Sequence, residues 1–167
     1  MIYKSSLHAV TDLPVPIRLL HPDAIIPAYV HPGDAGADLC STEAVSLAPG
    51  ERRLVRTGIA VQIPDGYAGF VTPRSGLAHR LGLSVLNTPG TIDSGYRGEL
   101  QVNLHNADPA EVVTLDKGDR IAQLIIVPVA HAKFSVVDAL ASSDRAEGGH
   151  GSTGLGSVAG ADPKEQQ

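Results

Sequence analysis

The chain has 167 residues, of which 43% are hydrophobic; this is enough for one domain with a core and excludes global disorder. Its net charge of −5 excludes a nucleic-acid-binding surface, because phosphate affinity requires a surplus of Lys and Arg. Cys40 is the sole cysteine, which excludes an intrachain disulfide and fits a reducing compartment.

Residues 1–16 read as an N-terminal extension. Their opening, "MIYKSSLHAV", lacks the apolar h-region of a secretory signal, and no apolar run approaches membrane-spanning length. A cytoplasmic protein without a membrane partner is the expectation. From residue 17 to residue 140, turn signals recur at short intervals: "HPGD", "APGE", "PDGY", "TPGT", "DSGYRG", "ADPAE" and "DKGD". Between them lie strand-like stretches, in chain order "RLVRTGIAVQI", "GFVTP", "LSVLNT", "ELQVNLHN", "VVTL" and "RIAQLIIVPV". In "QVNLHN", Val102 and Leu104 point to one side while Gln101, Asn103 and His105 point to the other. This pattern predicts an all-β sandwich or barrel. A single helical turn is expected at "SGLAHRLG" from Ser75. After about Ala141 the composition turns to Ser, Gly, Asp and Glu without a periodic apolar face. Residues 141–154 therefore read as a mobile arm and 155–167 as a disordered tail.

Several stretches carry chemistry-bearing side chains, and each also has an ordinary structural explanation. The seven histidines show no metal-ligand spacing, and no second cysteine assists them. "GGHGSTG" is Gly-rich but lacks the lysine and the βα context of a phosphate-binding P-loop. In "PRSGLAHR", Arg74 offers a forked cation and Ser75 a hydroxyl at a helix start, or simply an N-cap with Arg74 in solvent. In "GTIDSGYRGE", Asp93 is either a turn former or a carboxylate able to deprotonate water. Tyr96, set in that polar turn, either packs back on the fold or faces a ligand. "AGADLC" and "RIAQLII" add Asp38 and Gln123.

Taken in order, "AGADL", "PRSGLA", "GTIDSGYRGE", "RIAQL" and "RAEGGHGSTG" closely resemble the five motifs of the trimeric dUTP pyrophosphatases, or dUTPases. The resemblance runs from about Ile17 to Gly154. It implies a β jelly roll assembled as a homotrimer, with sites at subunit boundaries and an exchanged C-terminal arm. It also implies hydrolysis of dUTP to dUMP and pyrophosphate with Mg²⁺, which limits uracil incorporation into DNA and supplies dUMP for thymidylate synthesis. By this resemblance Asp93 activates the attacking water, and Tyr96 packs on the deoxyribose. Asn87, Thr91 and the backbone of a Leu86–Arg97 hairpin read uracil. Arg74, Ser75, Gly76 and Gln123 hold phosphates, and Asp38 reaches Mg²⁺ through water only. Arg145, His150, Gly151, Ser152 and Thr153 belong to the closing arm, with Arg145, Ser152 and Thr153 on the γ-phosphate.

Two positions depart from the family pattern. His150 stands where phenylalanine usually stacks over uracil, and Ala146 replaces a glycine. The related dCTP deaminases share the fold but carry a glutamate base where this chain has Asn103. Asp93, Arg74, Gln123 and the complete arm argue against a further alternative, a non-catalytic nucleotide sensor.

Overall fold

The computed structural model describes residues 12–143. It divides into two units, one ending at His131 and the other beginning at Ala132. The first contains β1 (Ile17–Leu19), β2 (Ala37–Cys40), β3 (Val45–Leu47), β4 (Arg52–Arg56), β5 (Ile59–Val61) and β6 (Tyr67–Thr72). These are followed by α1 (Ser75–Leu81), β7 (Leu83–Val85), β8 (Gly90–Ile92), β9 (Gln101–Asn106), β10 (Val113–Leu115) and β11 (Arg120–Pro128). The expected all-β class with one short helix is what the chain adopts.

All strand pairs are antiparallel. They form sheets ordered β1–β5, β3–β10, β2–β11–β6–β8 and β4–β9–β7. No sheet among the described residues closes on itself, so the expected barrel is not a closed one. The run "RLVRTGIAVQI" shows why the ladders stay short. It breaks at Thr57–Gly58, where Gly58 adopts φ 71° and passes the chain from the β4 sheet to the β5 sheet. A Cβ at Gly58 would lie 2.8 Å from both His21 Cβ and Thr42 Cγ2, so this corner has no room for a side chain.

The alternation expected in "QVNLHN" is realised in β9, where Val102, Leu104 and Asn106 are buried and Gln101 is exposed. The core joins Leu39, Leu47, Val55, Ile59, Leu83, Leu104 and Ile121 from separate strands. Burying a side chain of this kind stabilises the fold by about 1.5–3 kcal/mol. Asn106 is fully buried but satisfied: its Nδ2 donates to the carbonyls of Leu47 and Glu111, and its Oδ1 accepts the Asp108 N–H. This amide ties the end of β9 to β3 and to the segment before β10.

The unit from Ala132 has no strand or helix up to Ser143, and Phe134, Val136 and Leu140 are exposed there. Arg145, His150, Gly151, Ser152 and Thr153 lie outside the described residues, as do most of the expected extension and the whole expected tail. No helix among the described residues is long and apolar enough to cross a membrane.

Candidate active site

Asp38 sits within β2 with only 6% of its surface exposed. A carboxylate at that depth needs partners, and it has three. Oδ1 accepts Arg74 Nε at 3.1 Å and Gln123 Nε2 at 3.2 Å, while Oδ2 accepts Arg120 Nη1 at 3.0 Å. Two residues singled out in separate motifs, Arg74 and Gln123, thus converge on the carboxylate of a third, Asp38. The sheet explains the convergence. Gln123 lies opposite Asp38 in the β2–β11 ladder and opposite Thr72 in the β6–β11 ladder. Two residues beyond Thr72, Arg74 caps the start of α1 from an extended backbone. The ordinary reading, with Ser75 as N-cap and Arg74 in solvent, does not hold. Ser75 is the first helical residue, no side chain caps α1, and Arg74 is half-buried against Asp38. Ser75 and Gly76 are exposed in the first turn of α1.

Arg120 was not among the expected site residues. Positions three apart on a regular strand face opposite sides, which separates Arg120 from Gln123 on paper. The β2–β11 register shifts between Arg120 and Ala122, and Ile121 and Ala122 are consecutively buried. This irregularity returns Arg120 to the face of Gln123. Its carbonyl also accepts Arg74 Nη1 at 3.3 Å. Nearby, burial pushes the Cys40 thiol above its ordinary pKa, with the charge of Asp38 adding to the effect; such a thiol is a poor nucleophile.

Asp38→Asn tests how much this cluster stabilises the fold. The new amide nitrogen would face donors where a carboxylate oxygen now accepts. Both guanidiniums keep some solvent access, so the cost stays below that of a fully buried pair. A loss of about 1–3 kcal/mol is expected in denaturant unfolding.

A second group lies on the turn after β8. The Tyr96 N–H donates to the Asp93 carbonyl at 3.1 Å and closes the turn. Asp93 and Tyr96 line a pocket of about 280 Å³ together with Thr91, Leu54, Glu99 and Gln101. Asp93 is exposed, and its carboxylate takes no hydrogen bond or ion pair from another described residue. Tyr96 is 44% exposed; its hydroxyl donates to the Glu99 carbonyl at 3.0 Å while its ring lines the pocket.

The far end of this turn is anchored. The Glu99 carboxylate accepts the Gly58 N–H at 2.8 Å and Arg56 Nε at 3.0 Å. The Leu100 N–H donates to the Ile59 carbonyl at 2.8 Å, and the Leu100 carbonyl accepts the Thr57 hydroxyl.

The expected Leu86–Arg97 hairpin requires correction. β7 and β8 flank the turn at Asn87 but do not pair with each other: β7 pairs with β9, and β8 pairs with β6. The run from Ser84 to Thr91 therefore steps between two sheets instead of folding back on itself. Asn87 is exposed in that turn and belongs to neither the Asp38 cluster nor the Asp93 pocket. Those two groups share no residue within the described chain. Glu99 and Gln101, like Arg120, were missed. Gln101 begins the outward face of an alternating strand directly after the Asp93 turn, which was the available signal.

Comparison with known proteins bears on the family and the fold. The dUTPase family model matches residues 22–154. A deoxyuridine 5'-triphosphate nucleotidohydrolase of Thermobifida fusca is 62% identical over 148 residues, covering 89% of this chain and 82% of that protein. The dUTPase of Staphylococcus bacteriophage 80alpha, solved with dUPNHPP, is 34% identical with a TM-score of 0.79, covering 85% of this chain and 99% of that one. A mutant dUTPase from phage phi11 of S. aureus, solved with attention to the coordination of a structural Mg(II) ion, is 32% identical with a TM-score of 0.72, covering 78% and 100%. By the extent of the family match, by these identities and by the fold, the chain belongs to the dUTPase family.

Proposed function

We propose that this chain hydrolyses dUTP to dUMP and pyrophosphate, with Asp93 as the general base. One observation carries the choice of base. Of the motif carboxylates among the described residues, Asp38 is taken up by three donors and Glu99 by the Gly58 N–H and Arg56, whereas Asp93 is exposed, takes no bond from another described residue and lines the pocket beside Tyr96. Water loses a proton to Asp93 and its oxygen bonds to the α-phosphorus. The bond from that phosphorus to the bridging oxygen breaks, and pyrophosphate leaves with the electron pair. The reaction removes dUTP from the precursors of DNA and delivers dUMP for thymidylate synthesis.

Arg74, Ser75, Gly76 and Gln123 hold the phosphates in this reading. The guanidinium of Arg74 is oriented by Asp38 and by the Arg120 carbonyl before any anion arrives. Asn87, Thr91 and the backbone around them read the uracil edge, and Tyr96 covers the deoxyribose. A base that leaves buried polar groups unpaired costs about 1–3 kcal/mol for each. Thymine is excluded by lack of room for its methyl group.

Among the described residues no group of three or more His, Cys, Asp or Glu could hold a metal ion directly. Asp38 has three of its roughly four lone-pair positions filled. That donor set suits Mg²⁺ carried by the triphosphate, with Asp38 reached only through water. When bound, the ion neutralises phosphate charge.

Residues 17–140 constitute the jelly-roll domain in this proposal, with residues 141–154 as an arm exchanged within a homotrimer. Arg145, Ser152 and Thr153 close on the γ-phosphate, with Gly151 allowing close backbone approach, and His150 takes the place of the phenylalanine that usually stacks over the base. The first sixteen residues form an extension, and 155–167 form a tail.

Pyrophosphate release measured separately with dUTP, dCTP, dTTP and UTP tests the assignment. Release from dUTP should exceed that from each competitor by at least about 10²-fold. Ammonia release from dCTP would point to deamination instead. Binding of dUTP without turnover would point to a nucleotide sensor.

A further inference from the structure

The Tyr96 ring rests on a glycine that the backbone alone does not require. Gly98 is absent from the positive-φ glycines, so alanine could adopt its conformation without strain. The obstacle is the ring. A Cβ at position 98 would lie 2.6 Å from Tyr96 Cζ and 3.0 Å from Cε2, with the hydroxyl oxygen closer still. Contacts below 3.0 Å do not persist, so one side must yield.

The other side is held. Immediately after Gly98, the Glu99 carboxylate is pinned by the Gly58 N–H and Arg56, and Leu100 is pinned to Ile59 and Thr57. The Tyr96 hydroxyl in turn depends on the Glu99 carbonyl. The strain of an added methyl therefore falls on the ring, which must swing away and release Glu99.

We infer that Gly98 is a positioning residue for sugar discrimination: its bare Cα lets the Tyr96 ring lie against the backbone at residue 98, which sets where the ring stands in the pocket and so how much room a 2′-hydroxyl finds. Glu99 supplies the fixed acceptor that keeps the ring there. This inference rests on the proposed packing of Tyr96 against the deoxyribose, and it adds a residue that touches no substrate.

The test compares the ratio of kcat/KM for dUTP to that for UTP in wild type, Gly98→Ala, Tyr96→Ala and the double variant. The ratio is independent of the fraction of correctly folded enzyme, because inactive protein lowers both rates equally. Gly98→Ala should lower it by about tenfold or more, since small misplacements of positioning groups have large kinetic effects. Tyr96→Ala should also lower it. The double variant should match Tyr96→Ala alone, because without the ring the methyl has nothing to displace. An unchanged ratio in Gly98→Ala, while Tyr96→Ala relaxes selection, would overturn the inference and leave the role of Tyr96 standing. A double variant whose effects simply sum would also overturn it, since Gly98 would then act without the ring. An unchanged ratio in Tyr96→Ala would remove the sugar-packing reading itself, and the inference with it.

Discussion

Asp93→Asn is expected to lower turnover of dUTP by at least about 10²-fold while leaving the assembly folded and dUTP bound. The substitution is nearly isosteric. The carboxylate it removes is exposed and takes no bond from another described residue, so no network collapses with it. The turn survives, because the Tyr96 N–H bonds to the carbonyl of residue 93 and not to its side chain. What disappears is a proton acceptor beside the pocket, and an amide cannot replace it. The expected loss corresponds to at least about 2.7 kcal/mol of transition-state stabilisation. It should appear in kcat, with KM changed little, because the group acts on water and not on the bound nucleotide. Single-turnover hydrolysis with the variant in excess over dUTP isolates the chemical step. Wild-type turnover in that measurement would remove Asp93 from the mechanism. A KM raised in proportion to lost efficiency would make it a binding residue.

The contrast between Asp93 and Asp38 marks what a linear reading could and could not reach. Turn residues and period-two alternation were enough for β9, because the burial of Val102 and Leu104 follows from local geometry. They were also enough for α1, where Gly82 at φ 63° ends the helix. β8 escaped notice because its three residues carry no alternation of their own and are bounded by polar turns. It becomes a strand only by pairing with β6. Arg120 escaped for a different reason. A register shift is a property of two strands together, so nothing in "RIAQL" alone places its first and fourth residues on one carboxylate. Their motifs single out Asp38, Arg74 and Gln123, and the family resemblance implies their roles, yet their mutual bonding comes from the sheet. The anchoring of Glu99 to Gly58 likewise depends on a corner inside "RLVRTGIAVQI", a stretch whose residues alone resemble one continuous strand.

Trimers refolded at random from two inactive variants are expected to recover, as a population, about a quarter of wild-type activity if base and arm in each site come from different chains. Within the described chain the Asp38 cluster and the Asp93 pocket share no residue, which suits a site completed by neighbours. Phe134, Val136 and Leu140 are exposed on the segment leading to the arm, and exposed apolar side chains gain from a partner's surface. The stretch from Pro128 to Arg145 can span at most about 56–61 Å, at roughly 3.3–3.6 Å per residue, which is ample to reach another subunit. One variant carries Asp93→Asn with an intact arm; the other keeps Asp93 but ends at Ser143. Each homotrimer alone should be nearly inactive, the first lacking its base and the second its γ-phosphate clamp. The two are unfolded, mixed in equal amounts and refolded together, orthogonal tags confirm that mixed trimers have formed, and the whole refolded mixture is assayed. With random assembly in a closed three-fold ring, a site has a one-half chance of an intact base and an independent one-half chance of an intact arm. If one chain supplies both, no site can ever hold the pair. Activity near a quarter of wild type then supports exchange of the arm, and mixed trimers no more active than their parents exclude it.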